Sequence, residues 1–487
     1  MDWIRHWAMA GLAVILLMDG AAQAADGDFA WAGGIGGTDS DYGNAIALDG
    51  AGNGYMTGSF RGTVDFDPGP GIFTRTSAGV ADSFVLKLGK AGEFVWAKAV
   101  GGIFLDEGND IAVDSVGNVY TTGDFNGTVD FDPGTGTFAL TSCSDGDIFV
   151  SKLDYNGNFL WARAMGSTGV NYGKGIALDG EGNVFATGYF QLTADFDPGL
   201  GIFNLTTAGL DDIFIVKLDN SGNFVWANAL GGASYDAGRS IAVDDAGNVF
   251  STGTFRETAD FDPGPGSFNL TSAGYEEIFV SKLDYAGNFV WAKAVGGTNW
   301  DRGCDIVLDN AGNVLLTGYF RSTMDFDPGP GTFNLTASGA DIFVLMLDGA
   351  GDFVWAKTMG GAIHQAYGLG IAVDNTGNAY TTGYFQGTVD FDPGPGIFNL
   401  TSTGYYEVFV SKLDSAGNFI WAKCMGGANS EEGYGIAVDG AENVFISGFF
   451  QVTADFDPGS DTFNLTSAGY NDIFITKLSG PGGEGEG

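Results

Sequence analysis

Short apolar runs separated by Asp, Asn and Gly recur along the whole chain. In the third copy of the pattern they occupy residues 175–179, 184–190, 213–218 and 224–230. Runs of five to eight residues rich in β-branched and aromatic side chains, bounded by turn residues, are typical of β-strands joined in hairpins. We label these four predicted strands A, B, C and D. The pattern therefore predicts an all-β chain.

The predicted strands belong to a repeat of 65 residues. The motif Asp-Phe-Asp-Pro-Gly begins at seven evenly spaced positions: Asp65, Asp130, Asp195, Asp260, Asp325, Asp390 and Asp455. A tryptophan recurs in each predicted D strand: Trp31, Trp96, Trp161, Trp226, Trp291, Trp355 and Trp421. Four antiparallel strands in each of seven copies predict a seven-bladed β-propeller.

The two ends of the repeat region are complementary. Residues 29–33 form a D strand with no A, B or C strand before it, and the last copy ends with a C strand at residues 473–478. Pairing these two segments would remove two exposed sheet edges, which is a general requirement of stable sheets. We therefore expect the N-terminal strand to join the last blade and close the ring.

One stretch of the repeat has a known counterpart. Residues 291–297 read Trp-Ala-Lys-Ala-Val-Gly-Gly, followed by Asp301-Arg-Gly and by an Ile-Val-Leu-Asp strand that leads into Gly-Asn-Val at residues 306–318. This pattern resembles the bacterial β-propeller repeat called SBBP, and the resemblance covers essentially the whole chain after residue 24. It implies an exported or surface bacterial protein, usually without a defined activity. The Asp-Phe-Asp-Pro-Gly insert is additional to that pattern, so the resemblance assigns it no role.

The first residues are typical of a secretory signal. Arg5 and His6 precede an apolar stretch at residues 8–18, and Ala-Gln-Ala at residues 22–24 is a small-x-small cleavage site. Eleven apolar residues are too few to span a bilayer. We predict a signal peptide at 1–24, a propeller at 25–480 and a Gly/Glu-rich tail at 481–487. The mature protein is then exported, to the periplasm, the cell surface or the medium, with no membrane insertion.

The strongly negative net charge limits which classes of binding partner are expected. The chain has 60 acidic and 20 basic residues, a net charge of −40. Most of the acids are Asp, which favours turns because its short side chain bonds to nearby backbone N–H groups. So acidic a protein repels nucleic acid and anionic membranes. Cations, or partners with basic patches, are the expected ligands.

The strand order predicts two different faces. The A–B and C–D turns are short and share one face, while the B–C segments of about 20 residues and the variable D–A connections share the other, the loop face. Long loops on a rigid scaffold are where binding usually resides. We expect a protein or glycan ligand there, and the candidate D–A residues are Asp41, Asp106, Asp236, Trp300, Asp301, His364 and Glu431.

The repeated Asp-x-Asp-x-Gly spacing has two interpretations. The paired carboxylates could contribute to a Ca²⁺ site, although acids from elsewhere would have to complete the shell. Alternatively, the second Asp accepts backbone N–H bonds, Pro and Gly shape a turn, and Phe66 and its counterparts pack inward. The fourteen candidate residues are Asp65, Asp67, Asp130, Asp132, Asp195, Asp197, Asp260, Asp262, Asp325, Asp327, Asp390, Asp392, Asp455 and Asp457.

Catalytic chemistry has little support in the sequence. After removal of the signal peptide His364 is the sole histidine, and no nucleophile elbow or His-rich metal set is present. The seven repeated Trp are expected to pack between blades rather than to stack on sugars. Cys143, Cys304 and Cys424 show no disulfide framework, so we expect small buried residues. The sequence thus predicts a non-catalytic binding, adhesion or surface-scaffold protein without an obligatory cofactor. The alternative is a hydrolase or lyase that acts on polysaccharide through paired carboxylates.

Overall fold

The structure, a computed structural model, describes residues 25–143, 146–361 and 365–482. Throughout these residues the chain is all-β, and every paired strand is antiparallel to its neighbour. The same residues include no helix long and apolar enough to cross a membrane. The predicted signal peptide, His364 and the last five residues of the predicted tail lie outside the described residues.

The strands follow the 65-residue period. The first part of the chain has β1 (Phe29–Ile35), then β2 (Tyr42–Leu48), β3 (Gly54–Phe60), β4 (Thr63–Asp65), β5 (Thr74–Thr76), β6 (Asp82–Leu88) and β7 (Phe94–Val100) in copy 1. Copy 2 has β8 (Glu107–Val113), β9 (Val119–Phe125), β10 (Thr128–Asp130), β11 (Ala139–Thr141), β12 (Asp147–Leu153) and β13 (Phe159–Ser167). Copy 3 has β14 (Tyr172–Leu178), β15 (Val184–Asp195), β16 (Asn204–Leu218) and β17 (Phe224–Gly232).

The remaining copies repeat this order. Copy 4 has β18 (Ala237–Val243), β19 (Val249–Phe255), β20 (Thr258–Asp260), β21 (Asn269–Thr271), β22 (Glu277–Leu283) and β23 (Phe289–Gly297). Copy 5 has β24 (Arg302–Leu308), β25 (Val314–Asp325), β26 (Asn334–Leu347) and β27 (Phe353–Met359). Copy 6 has β28 (Ala366–Val373), β29 (Ala379–Phe385), β30 (Thr388–Asp390), β31 (Asn399–Thr401), β32 (Glu407–Leu413) and β33 (Phe419–Gly427), and copy 7 has β34 (Glu432–Val438), β35 (Val444–Asp455) and β36 (Asn464–Leu478).

Each copy is built on a four-stranded meander. In copy 1, β2 pairs with β3, β3 with β6, and β6 with β7, which are the predicted strands A to D in order. Every residue of β3 and β6 is buried, because these middle strands are covered on both faces by neighbouring copies. The predicted Trp packing follows from this arrangement: the Trp96 ring lies over Gly157 of the next copy, and its Nε1 donates to the Tyr155 carbonyl at 3.2 Å.

The B–C segment is an ordered hairpin rather than the long loop that its length predicts. In copy 1 it forms β4 and β5, with Val64 opposite Arg75 and a hydrogen bond of 2.8 Å between the Thr63 and Thr76 hydroxyls. In copies 3, 5 and 7 the hairpin continues directly from strands B and C, so each of those strands is 12 to 15 residues long. In copy 1, Phe66 at the base of the hairpin is fully buried and contacts Phe84, with ring centroids 5.1 Å apart.

Backbone pairing also links consecutive copies. The Gly near the end of six of the D strands faces the first Asp of the next hairpin, as in Gly166 with Asp195 and Gly231 with Asp260. The same contact occurs at Gly36–Asp65, Gly296–Asp325, Gly360–Asp390 and Gly426–Asp455. The outer end of each of these D strands is therefore hydrogen-bonded to the next copy.

The first and last strands of the described chain pair with each other. β1 is antiparallel to β36, with Ile35 opposite Ile473 and Gly33 opposite Ile475. The predicted N-terminal D strand thus lies beside the C strand of copy 7. The A strands of the two terminal copies also meet, since β2 contacts both β8 and β34.

Candidate functional site on the loop face

The Asp-Phe-Asp-Pro-Gly carboxylates are occupied by their own turn. Asp65 Oδ1 accepts hydrogen bonds from the Asp67 N–H at 3.2 Å and the Phe73 N–H at 2.7 Å, and Asp67 Oδ1 accepts one from the Gly69 N–H at 2.8 Å. The other six copies form the same three bonds. Among the residues that the structure describes, no three His, Cys, Asp or Glu side chains are grouped to hold a metal ion. The geometry favours the turn, and calcium binding stays a prediction of the sequence.

The choice between a structural turn and a Ca²⁺ site can be tested directly. We expect the purified protein to melt at the same temperature in millimolar Ca²⁺ and in excess chelator, because one oxygen of each carboxylate already accepts N–H bonds and no third acidic side chain of the described residues joins the pair. Scanning calorimetry of the wild type and of Asp67→Asn measures it, since an amide oxygen still accepts the Gly69 N–H. A higher melting temperature in Ca²⁺, lost in the variant, would establish the cation site instead.

The acidic candidates of the D–A connections are structural. Asp41 is fully buried; its Oδ2 accepts a hydrogen bond from the Gly37 N–H at 2.9 Å, and its Oδ1 accepts one from the Arg61 N–H at 2.9 Å. Asp106, Asp236 and Asp301 are equally buried and accept the two equivalent backbone bonds. Glu431 is also buried, and its Oε2 accepts the bond from the Gly427 N–H at 2.8 Å. The structure buries these five carboxylates, and ligand contact through them stays a prediction of the sequence. A tight connection leaves N–H groups without strand partners, and the acids satisfy them.

A second buried acid faces each of these side chains. It is the first residue of the C strand, such as Asp82 opposite Asp106 and Asp212 opposite Asp236. Burial is the main cause that raises the pKa of Asp106 to about 6 and that of Asp212 to about 7, and the facing carboxylate adds to it. Two adjacent buried carboxyl groups resist double ionisation, because the charges repel and neither is well solvated.

Copy 2 contains a natural substitution in this pair. Asn171 follows its D strand where five of the other six copies have a loop acid, and the Asn171 Nδ2 donates a hydrogen bond to Asp147 Oδ1 at 3.2 Å. In four other copies the corresponding oxygen of the strand acid is buried with no hydrogen-bond partner, namely Asp82, Asp212, Asp341 and Asp472 Oδ1. Three of these four acids face a loop acid, while Asp341 has Ala366 at the loop position.

Aromatic and arginine side chains form an exposed cluster on the loop face of copies 3 and 4. Trp300 is 43% exposed and Tyr275 is 66% exposed, and their rings stack at 5.9 Å with an angle of 11° between planes. The Arg256 guanidinium lies 5.1 Å from the Trp300 ring and 5.2 Å from the ring of Tyr235, which is itself exposed. We call Tyr235, Arg256, Tyr275 and Trp300 the loop-face cluster. Only Trp300 of this cluster was predictable as a candidate, because it interrupts the repeat pattern.

An ion-pair network holds the cluster in place. Both Arg256 and Arg302 donate to the Glu276 carboxylate, Arg302 at 3.0 Å. These two arginines lower the pKa of Glu276 against the opposing effect of burial. A carboxylate held between two guanidinium groups fixes the orientation of Arg256, so the stacked rings rest on a rigid base.

A cavity of about 350 Å³ lies between the middle parts of the A strands. One residue position of the repeat supplies a side chain from every copy to its wall: Asn44, Asn109, Lys174, Arg239, Cys304, Leu369 and Tyr434. We call this space the axial cavity. In contrast, the position two residues further along is Ile in all seven copies. Sequence reasoning missed this site because its residues are single exceptions to the repeat.

The three cysteines differ in environment, and none of them is in a disulfide. Cys304 lines the axial cavity, where burial raises the pKa of its thiol to about 11. Cys424 is half-buried, whereas Cys143 is exposed, so the expected burial is wrong for Cys143. A thiol with a raised pKa is a poor nucleophile, which argues against covalent chemistry at Cys304.

Comparison with known proteins supports the repeat class. Residues 95–129 match the model of the beta-propeller repeat SBBP. The uncharacterized WD repeat-containing protein L264 of Acanthamoeba polyphaga mimivirus is 23% identical over 504 residues, covering 87% of this chain and 36% of the relative. The regulatory protein FlaEY of Caulobacter vibrioides is 24% identical over 266 residues, covering 52% of this chain and 27% of the relative. The chain therefore spans about a third of the length of the curated relatives that it matches.

Two solved structures are distantly similar. The WD40 domain of Neurospora crassa Pan2 aligns with a TM-score of 0.43 at 9% identity, covering 91% of this chain and 97% of that one. A protein of unknown function from Bacteroides caccae aligns with a TM-score of 0.35 at 12% identity, covering 70% and 89%. The family match places a β-propeller repeat at residues 95–129, and the all-β antiparallel structure agrees with a protein that contains such repeats.

Proposed function

We propose that the chain is a seven-bladed β-propeller whose ring is closed by the N-terminal strand and that acts as a non-catalytic protein-interaction scaffold. Three observations support the closed ring. β1 pairs with β36, β2 contacts β34, and one axial cavity is lined by a residue from each of the seven copies. Closure of this kind removes the free edges that an open array of sheets would expose.

The loop-face cluster is the observation on which the binding role rests. Trp, Tyr and Arg are the residue types that dominate binding energy at protein interfaces, and they do so when rigid and central. Here Trp300, Tyr275 and Arg256 are stacked, exposed and anchored by Glu276. The name of the mimiviral relative, a WD repeat-containing protein, agrees with a scaffold role. The partner that we expect is a protein, and a surface glycan is the alternative ligand class.

We further propose that the protein is exported and that Ca²⁺ is a candidate ligand. The N-terminal signal pattern supports export by a bacterial cell, with the protein at the cell surface, in the medium or in the periplasm. Adhesion or surface assembly is the form of scaffold that fits such a location. Ca²⁺ is a candidate stabilising ligand, subject to the melting test described above.

The test compares two exposed aromatic residues on opposite faces. Trp300→Ala removes the centre of the cluster, while Tyr285→Ala removes an exposed ring from a C–D turn on the other face. We expect a partner captured from host extract by the immobilised wild type to bind Tyr285→Ala equally and Trp300→Ala roughly tenfold more weakly, the effect of losing a hot-spot residue. Quantitative mass spectrometry followed by affinity measurement checks this.

The two variants also define the opposite result. Equal capture of every partner by Trp300→Ala and wild type would contradict binding through the loop-face cluster. Loss of the same partner by Tyr285→Ala would show that the effect is not specific to this face. Matching melting temperatures of the two variants establish that neither change disturbs the fold.

A further inference from the structure

The position that lines the axial cavity differs between the copies. It holds seven side chains of six different types, while Ile recurs two residues later in every copy. The recurring Ile serves the packing that all copies share, whereas the cavity position gives each copy a different group on the cavity wall.

Arg239 is the side chain of this wall that most clearly lacks a partner. It forms no ion pair with any residue that the structure describes, and its buried Nε has no hydrogen-bond acceptor. Burial, and then the neighbouring Arg302, lowers the pKa of Arg239. The Nε of Arg302 is also buried without a partner. Two guanidinium groups with unused donors lie together in a chain whose net charge is −40.

The acids of the cavity do not compensate for Arg239. Asp305 accepts hydrogen bonds from the Ser240 hydroxyl at 2.6 Å and from the Ile306 and Ile371 N–H groups at 2.9 and 2.8 Å. Asp110 is similarly occupied by two backbone N–H groups. These two carboxylates join adjacent A strands, so their oxygens are directed at the backbone. An anion from solution would supply the acceptors that Arg239 lacks.

The rest of the surroundings are polar and aromatic. Asn44 and Asn109 line the cavity with amide groups, and Tyr434 contributes an aromatic side chain to the same wall. The Tyr434 hydroxyl donates a hydrogen bond to Glu432 Oε2 at 3.0 Å. Amides can hydrogen-bond to hydroxyl groups, and tyrosine rings offer flat apolar faces. A volume of about 350 Å³ is at the lower end of the range for small-molecule sites.

We propose that the axial cavity binds an acidic monosaccharide, a sugar ring with one carboxylate, held through that carboxylate by Arg239. Lys174 adds a second cationic side chain to the wall, and Asn44, Asn109 and Tyr434 contact the hydroxylated ring. The residues that line this site are not those of the loop-face cluster, and the ligand is a small molecule, so the proposal stands whether or not the scaffold role is correct. It reverses the expectation from composition, because a strongly acidic protein here presents an arginine without an acidic partner to a cavity.

Isothermal titration calorimetry with three probes tests the site. D-glucuronate is the acidic sugar, D-glucose is its neutral counterpart and acetate is a carboxylate without a ring. We expect the mature wild-type protein to bind glucuronate, and to bind glucose and acetate at least tenfold more weakly. Arg239→Asn should lose at least tenfold in glucuronate affinity, and Arg239→Lys should lose less. Both replacements occur at this position in other copies, as Asn44 and Lys174, so both side chains fit the repeat.

Arg75→Gln is the matched control, because Arg75 lies on an outer hairpin with its guanidinium 4.2 Å from the Phe73 ring. It should bind glucuronate as the wild type does. Absence of glucuronate binding by the wild type, or equal affinity of Arg239→Asn and wild type, would overturn the proposal. Equal affinity for acetate and glucuronate would overturn the assignment of a sugar.

Discussion

Asp82→Asn is expected to raise the free energy of unfolding at pH 8 by about 1–3 kcal/mol. Asp82 is 4% exposed, its Oδ1 has no hydrogen-bond partner, and it faces Asp106. The amide keeps an oxygen for the Ala78 N–H, which Asp82 Oδ2 accepts at 2.9 Å, and places a donor where the unpartnered oxygen was. The variant would then reproduce the hydrogen bond that Asn171 makes with Asp147. Urea unfolding at pH 8 measures the change.

The effect should depend on pH with a definite sign. Burial raises the pKa of Asp82 and raises that of Asp106 to about 6, so the folded protein binds protons more tightly than the unfolded chain. Stability from such groups is fully present below the unfolded pKa of about 4 and is lost as pH rises through the folded value. We therefore expect the gain from Asp82→Asn to shrink below pH 5.

Copy 2 provides the matched control. Asp147→Asn makes the same chemical change, but there the oxygen already accepts a hydrogen bond from Asn171. Two amide groups would then face each other with one donor unsatisfied, so this variant should be less stable than the wild type at pH 8. Equal responses of the two variants, or destabilisation by Asp82→Asn at pH 8, would show that the acid pairs are not repulsive.

Ile35→Ala is expected to lower the free energy of unfolding by about 2–5 kcal/mol, the usual cost of truncating a fully buried aliphatic side chain. Ile35 is 1% exposed and belongs to the cluster that contains Ile473 and Ile475 of β36. The change weakens the contact between β1 and β36 and also removes a side chain from the core that β1 shares with β2, β3 and β6. Hydrogen exchange resolved by residue should show faster opening of β36 than of β16 in copy 3.

Ile103→Ala is the companion variant, because Ile103 is 69% exposed in the D–A connection of copy 1. Such a surface change is expected to alter stability by less than about 0.5 kcal/mol. If hydrogen exchange became faster to the same extent in all copies, the contact between β1 and β36 would not control the local opening of β36. Unchanged stability of Ile35→Ala would contradict the pairing of the two ends.

The sequence predicts the strands, the 65-residue period and the Trp contacts between copies, because each depends on local pattern or on repetition. The sequence does not predict that the acids of the D–A connections are buried, since Asp41 and Asp106 resemble surface turn residues. The facing strand acid is buried partly because a glycine leaves room for it: Asp82 packs against Gly101, where a Cβ atom would overlap its carboxylate. The hairpin β4–β5 is missed because three-residue strands carry too little apolar pattern. Arg239 is missed because no other copy repeats it.

Main-chain pairing joins one copy to the next, as at Gly166 with Asp195 and at Gly231 with Asp260. This pairing affects how the protein unfolds. In arrays whose repeats meet only through side chains, each repeat adds its own share of stability and the ends can fray. Here a copy cannot detach without breaking main-chain hydrogen bonds to the next one. Loss of one copy would leave unpaired main-chain groups on its neighbour, so we expect the linked copies to unfold together rather than one by one.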